Sequence, residues 1–405
     1  MLNVDAALGK LLDSVEPVDG SEVVPVADAL DRIAADDIAA PVDLPPFAAS
    51  AMDGYAVAAA GFAGEPPHVV ELIGESLAGH PSSVRVAGTN AVRIFTGATI
   101  PEGADAVVIQ EDTRVDRGEV ALLATPRRGD NVRPRGHDVV RGSPIARKGD
   151  RLDAYRLSWL TACGIDHVEV RRRVKVTVFS TGDELMDTGK PLGPGQIYDS
   201  NRFALARLMS DQPVDLTDLG CLPDSRDAIR AALKQAAGNA DMVLTSGGVS
   251  VGDADYVRDI VEEIGRLEFY RIALKPGKPL AVGKIGDADF FGLPGNPIST
   301  IVTFLLFVIP ALAVRAGGRH FPPLEFDAVL AEDIAHSAGR REYQRGIAEN
   351  ADGGLIVRST GDQSSNRLST FDGANCLIRV PEERGDLAAG ETVSIVLLRD
   401  RGRLF

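Results

Sequence analysis

"DMVLTSGGVSVGDADYVRDIVEEIG", residues 241–265, begins as an apolar run, breaks at Gly247-Gly248, passes two aspartates and then turns helical. Val257, Ile260, Val261 and Ile264 stand at i, i+3, i+4 and i+7, the spacing of one buried helical face. A strand running into a helix through a Gly-rich turn is the repeating unit of a parallel sheet. The same alternation continues on both sides. "VKVTVFSTG" (174–182) and "VDLTDLG" (214–220) read as strands. "NRFALARLMSD" (201–211), behind the capping candidates Asp199 and Ser200, reads as a helix, as does "SRDAIRAALKQAA" (225–237) with Ile229, Ala232, Leu233 and Ala236 on one face. "EFYRIAL" (268–274), "PLAVGKI" (279–285) and "ADFFGLPG" (288–295) follow as strands, and a long helix starts at Pro297. A mostly parallel sheet covered by helices on both faces is predicted, with ligands at the carboxyl ends of its strands. The loops after 179, 220, 245 and 292 then share one rim.

The remaining chain is β-rich. Short strands broken by Gly and Pro fill 66–146 and 324–405, and "RAGGRHFPP" (315–323) is a linker. Two helical segments, "DAALGKLLDSV" (5–15) and "DAYRLSWLTACGI" (153–165), flank the first β region, as they would if a β module were inserted into a helical one. The expected fold class is α/β plus β in four parts. Residues 1–45 and 143–173 form a discontinuous, mixed helical N-terminal domain, and 46–142 an inserted β domain. Residues 174–318 form a three-layer α/β/α domain, and 324–405 a C-terminal β-barrel-like domain.

Composition narrows the function. The formal net charge of −15 over 405 residues argues against a nucleic-acid surface, which needs a basic face. Cys163, Cys221 and Cys376 are far apart and form no CxxC pair, so neither a disulfide framework nor a zinc site is expected. "MLNVDAALGKLLDSV" carries acids early and reads as an amphipathic helix instead of a signal peptide. "IVTFLLFVIPALAV" (301–314) is too short to span a bilayer and reads as a buried helix. A cytoplasmic location with no membrane partner is expected.

The chemistry sits in the predicted rim loops. Gly247 and Gly248 can adopt positive φ, leaving backbone N–H groups and the hydroxyls of Ser246 and Ser250 to face a phosphate. Asp253 or Asp255 can hold Mg²⁺ there, or simply cap the next helix. "STGDEL" (180–185) and "LPDSRD" (222–227) bring Glu184 and Asp224 to the ends of neighbouring strands. Each also reads as an ordinary cap or turn, yet a carboxylate on each of three rim loops suits a divalent cation better than three separate caps. "YRIALKPGKPLAVG" (270–283) sets Arg271, Lys275 and Lys278 around a proline-restricted turn, a local basic cluster in an acidic chain. "FGLPGNPIST" (291–300) places Asn296 as N-cap and Pro297 at N1, and a helix N-terminus favours anions. Upstream, "PPFAASAMDGYAV" (45–57), "RIFTGATIPEGADAVVIQED" (93–112) and "NVRPRGHDVVRG" (131–142) read as turns and surface charge, and His137 has no partner histidine for a metal.

Together, "SAMDGYAV", "FTGATIPEGADAVV", "RPRGHDVVRG", "FSTGDEL", "GQIYDSNR", "TSGGVSVGDADY", "ALKPGKP" and "LPGNP" resemble, in order, the molybdopterin molybdenumtransferase family, which includes the C-terminal domain of gephyrin. The likeness reaches from about residue 45 to 300 and continues more loosely through "EYQRG" and "TGDQSSNRLSTF". The resemblance implies an enzyme that takes molybdate and adenylylated molybdopterin, cleaves the adenylate, leaves molybdenum on the dithiolene and releases AMP with Mg²⁺. It implies an elongated homodimer of four-domain subunits with the site shared between subunits. Asp53, Thr96, Asp138, Glu184, Asp224 and Asp255 are then expected in catalysis, with Glu184, Asp224 and Asp255 on the metal. Ser246, Gly247, Gly248, Ser250, Arg271, Lys275, Lys278, Pro294, Pro297, Arg345 and Ser365 are expected to bind substrate. Arg271 is expected to stand where relatives carry Lys, and the segment around Ser365 matches only in part. Two other functions share some of this resemblance: the molybdopterin adenylyltransferase, which uses the same α/β domain, and a gephyrin-like scaffold. That adenylyltransferase and the molybdoenzyme apoproteins are also the expected protein partners.

Overall fold

The computed structural model describes residues 1–249, 256–399 and 403–404. Its central sheet has six strands in the order Val214–Leu222, Val174–Thr181, Met242–Ser246, Ala288–Leu293, Ala281–Ile285, Arg266–Tyr270. The first four are parallel, while Ala281–Ile285 runs antiparallel to both its neighbours, joined to Ala288–Leu293 by a two-residue hairpin turn and to Arg266–Tyr270 by the longer segment 271–280. Consecutive residues of Val174–Thr181 face opposite cores. Val178 packs with Phe291, Phe304 and Phe307, while Phe179 packs with Phe290, Leu233 and Ile260. This two-sided burial explains why Val178 and Phe179 are adjacent apolar residues in mid-strand.

The crossover helices form where the apolar periodicity placed them. Arg226–Ala237 buries Ile229, Ala232, Leu233 and Ala236, and Tyr256–Ile264 buries Val257, Ile260 and Val261. The apolar segment after Pro297 is the long core helix. By length and composition alone Pro297–Arg315 could cross a membrane, but 72% of its most apolar window is buried inside the protein. It widens to a π-helical stretch over Phe304–Val308, just before Pro310, whose missing N–H cannot bond the carbonyl four residues back.

Three further units surround this layer. Ser21–Pro25 pairs with His167–Arg171, and Ile38–Ala39 with Pro144–Ala146, across a chain excursion of more than a hundred residues. That excursion contains a six-stranded sheet built from Gly54–Val57, His68–Ser76, Asn90–Ile94, Ala106–Ile109, Thr113–Asp116 and Glu119–Leu122. The opening helix is Val4–Ser14. Val4, Ala7 and Leu11 join the core of the α/β unit beside Val174 and Phe304. At the C-terminus, Glu325–Leu330, Arg341–Ala351, Gly354–Ser359, Cys376–Val380 and Thr392–Arg399 close into a barrel, since Arg341–Ala351 pairs with both Gly354–Ser359 and Cys376–Val380. A two-residue strand from the α/β unit, Leu274–Lys275, adds to the barrel edge.

Candidate active site

The carboxyl ends of the parallel strands open into a cleft of about 650 Å³. Its wall includes Thr181, Gly182, Glu184, Asp224, Gly247, Gly248, Pro294 and Pro297, together with Asn201, Asn296 and, from the barrel, Asn366 and Leu368. Four strand ends and one barrel loop thus converge, and a pocket of this size accommodates a substantial small molecule.

The glycine turn is shaped by its neighbours. Gly247 and Gly248 take φ of +89° and +69°. A Cβ on Gly247 would lie 2.7 Å from the Thr181 carbonyl oxygen, and one on Gly248 2.5 Å from Val257 Cγ2. The backbone therefore approaches the adjacent strand as only glycine allows. Asn201 ties the rim together. Its Nδ2 donates to Ser246 Oγ at 2.9 Å and to the Gly295 carbonyl at 2.7 Å. Arg202, next along the helix, donates to Asp199, Asp218 and Asp187, which anchors the segment between Glu184 and that helix. Asp199 also caps the helix, accepting from the Arg202 N–H at 3.2 Å.

The barrel closes one side. The Ile298 N–H, at the start of the long helix, donates to the Ser365 carbonyl at 3.0 Å. Arg345 organises the same loop. Its guanidinium donates to Thr370 Oγ1 at 3.0 Å and to the carbonyls of Gln363, Asp362 and Ser364, each at 3.3 Å. Burial pushes Arg345 down to about 10, against the opposing influence of Glu342 and Asp362.

Of the expected site residues, Glu184, Asp224, Gly247, Gly248, Pro294 and Pro297 meet in the cleft, with Ser246 directly beneath it. Ser365 meets the cleft's helix start through its carbonyl. Ser250 and Asp255, and Asp253 beside them, lie outside the described residues. Arg345 is 0% exposed and spends its donors on the loop, so it holds the wall in shape instead of presenting a charge to the cleft. Arg271 takes φ +69°, and its guanidinium lies 5.1 Å from the Tyr270 ring centroid. Lys275 pairs with Glu342 at 3.0 Å, while Lys278 is exposed. Asp53 and Thr96 meet each other, the Thr96 N–H donating to Asp53 Oδ1 at 2.7 Å, while Asp138 is exposed beyond the six-stranded sheet, its N–H donating to the Leu44 carbonyl at 2.9 Å. Among the described residues, Asp53, Thr96 and Asp138 are absent from the cleft wall of their own chain. Motif spacing does not single out Thr181, Asn201 or Asn366. Asn201 lies in "GQIYDSNR", two residues after the helix cap Asp199, but that resemblance assigns it no role.

The geometry has counterparts among known proteins. Residues 2–164 match the model described as MoeA N-terminal region (domain I and II), 177–314 the probable molybdopterin binding domain, and 327–398 the MoeA C-terminal region (domain IV). A molybdopterin molybdenumtransferase of Haemophilus influenzae is 41% identical, covering 98% of both chains. One from a Nostoc species is 35% identical over 96% of this chain and 91% of its own. Gephyrin of Dictyostelium discoideum is 30% identical over 98% of this chain and 62% of its own. The crystal structure of a molybdopterin biosynthesis MoeA protein from Pyrococcus horikoshii superposes with a TM-score of 0.85 at 30% identity, covering 98% of this chain and 100% of that one. The three domain matches in order, the full-length relatives and the shared architecture lead to one conclusion: this chain belongs to the molybdopterin molybdenumtransferase family.

Proposed function

We propose that this chain is a transferase of molybdenum cofactor biosynthesis that inserts molybdenum from molybdate into adenylylated molybdopterin and releases AMP. The observation that carries this reading is the convergence in one cleft of Glu184, Asp224, the Gly247-Gly248 turn and the helix start at Pro297. A glycine turn and a helix N-terminus offer backbone N–H groups to a phosphoanhydride, while carboxylates suit a hard cation.

Mg²⁺ fits this donor set. Glu184 and Asp224 supply oxygen ligands on the wall. The third expected ligand, Asp255, lies outside the described residues. Held by Glu184 and Asp224, such an ion would offset the charge on departing AMP. Asn201 keeps the glycine turn and the Gly295 turn at fixed separation, so the two N–H surfaces stay aligned on the phosphates. The barrel loop with Asn366 and Leu368 shields the opposite side from water. Lys275 and Lys278 supply positive charge next to this region.

Asp53, Thr96 and Asp138 join the reaction from the second subunit of a homodimer. Their absence from the cleft of their own chain supports this arrangement. The enzyme acts in the cytoplasm, after the adenylyltransferase that makes its substrate and before the apoproteins that take its product.

Purified protein with Mg²⁺, molybdate and adenylylated molybdopterin tests the proposal by chromatography of released AMP. Molybdate-dependent AMP release is expected. Formation of the adenylate from ATP, with no molybdate-dependent release, would assign the adenylyltransferase reaction instead.

A further inference from the structure

Lys275 is held by a carboxylate that comes from another domain. Glu342 lies on the barrel strand Arg341–Ala351, and its side chain is 2% exposed. Its Oε1 stands 3.0 Å from Lys275 Nζ, and its Oε2 stands 2.6 Å from His336 Nδ1, a ring that is 0% exposed. A buried carboxylate is tolerated only when both oxygens are engaged, and here one partner is entirely internal while the other is 37% exposed.

The main chain is fixed as well. Leu274–Lys275 runs parallel to the barrel strand with Lys275 directly opposite Glu342, and the Arg341 N–H donates to the Ala273 carbonyl at 3.0 Å. Beyond Lys275 the turn is tight: a Cβ on Gly277 would lie 2.5 Å from Thr303 Cγ2. With the backbone immobile, the remaining freedom is in the lysine's own rotamers. The Glu342 contact removes it while using one of three ammonium donors, which leaves the others for an anion.

We propose that Glu342 is a positioning residue for substrate binding, acting through Lys275, with His336 bracing it from behind. This rests on the reading that Lys275 contacts the phosphates of adenylylated molybdopterin. Without Glu342 the ammonium samples several rotamers, and binding must order it.

The test is a double-mutant cycle on molybdate-dependent AMP release in the full-length enzyme. Glu342→Gln keeps the shape and removes the charge. It is expected to raise KM for adenylylated molybdopterin about 3- to 10-fold, with kcat changed less than about twofold, the effect of losing one pre-ordered side chain. Lys275→Ala raises KM further, and adding Glu342→Gln to Lys275→Ala changes nothing more. If Glu342→Gln does not fold, Glu342→Asp, whose carboxylate falls short of Lys275, is expected to give the same KM rise. A wild-type KM in the Glu342 variants alongside an impaired Lys275→Ala overturns the positioning role alone. So does an effect of equal size with and without Lys275. A wild-type KM in Lys275→Ala removes the substrate role of Lys275 and the positioning role with it.

Discussion

The carboxylate of Glu184 occupies the place where Gly182 would carry a side chain: an ideal Cβ on Gly182 lies 2.6 Å from Glu184 Oε2. Gly182 also has φ +152°, which L-residues rarely adopt. The glycine is thus the seat of the acid assigned to metal binding.

Two substitutions separate seat from acid. Gly182→Ala is expected to cost about 1–3 kcal/mol of stability from backbone strain and to displace Glu184, so activity falls as well. Glu184→Gln leaves the seat intact. Its melting temperature should stay close to wild type while kcat for AMP release drops about 100-fold or more. Thermal melts paired with turnover assays check both. Full activity in Glu184→Gln would remove this residue from the chemistry.

Gly248→Ala meets a stiffer neighbourhood. The new Cβ would lie 2.5 Å from Val257 Cγ2 and 2.8 Å from Thr181 Oγ1, at φ +69°. Overpacking and strain together predict a loss of about 2–4 kcal/mol, read as a lower urea midpoint with little change in slope. An unchanged midpoint would mean that the turn is looser than described.

Arg345→Ala is expected to behave as a structural variant. It strips donors from Thr370 Oγ1 and three carbonyls in a buried setting, for a loss of about 3–5 kcal/mol. Hydrogen exchange should show faster exchange across residues 362–371 than in the strand Val174–Thr181. A variant with normal stability and a raised KM alone would return Arg345 to direct substrate binding.

Acid stability should depend on Asp241. Arg172 donates to its two oxygens at 2.7 and 2.8 Å, and the Lys175 N–H at 2.8 Å. Burial pushes this carboxyl up, but the Arg172 fork, the Lys175 N–H and nearby Arg315 together outweigh it and hold the carboxyl below its ordinary value. A depressed folded value means that the stabilisation is fully present above the unfolded value near 4 and is lost as pH falls through the folded value. Urea unfolding followed from pH 6 down to about pH 2 should therefore show a smaller acid-induced loss in Asp241→Asn than in wild type. Parallel curves would contradict this.

Much of the architecture is visible in the sequence because its signals are local. The apolar periodicity in 226–237 marks the same four residues that the helix buries, and the Gly-rich turns mark strand ends. The split N-terminal unit is harder to see, because Ser21–Pro25 pairs with His167–Arg171 only after a long excursion. The opening helix Val4–Ser14 is amphipathic as its pattern predicts, but periodicity does not say which core receives its apolar face. At the site, the rim glycines and acids are legible from spacing. The fate of Arg345 is not, since only folding reveals that its donors are consumed by carbonyls of the 362–364 segment. Glu342 opens "EYQRG", but that likeness assigns it no role; its role comes from register with Lys275.

A co-crystal with adenylylated molybdopterin and Mg²⁺ decides where the chemistry happens. The phosphoanhydride is expected between the Gly247-Gly248 turn and the helix start at Pro297, with Glu184 and Asp224 turned toward the cation. Ligand density at another surface, with this cleft empty, would contradict the assignment.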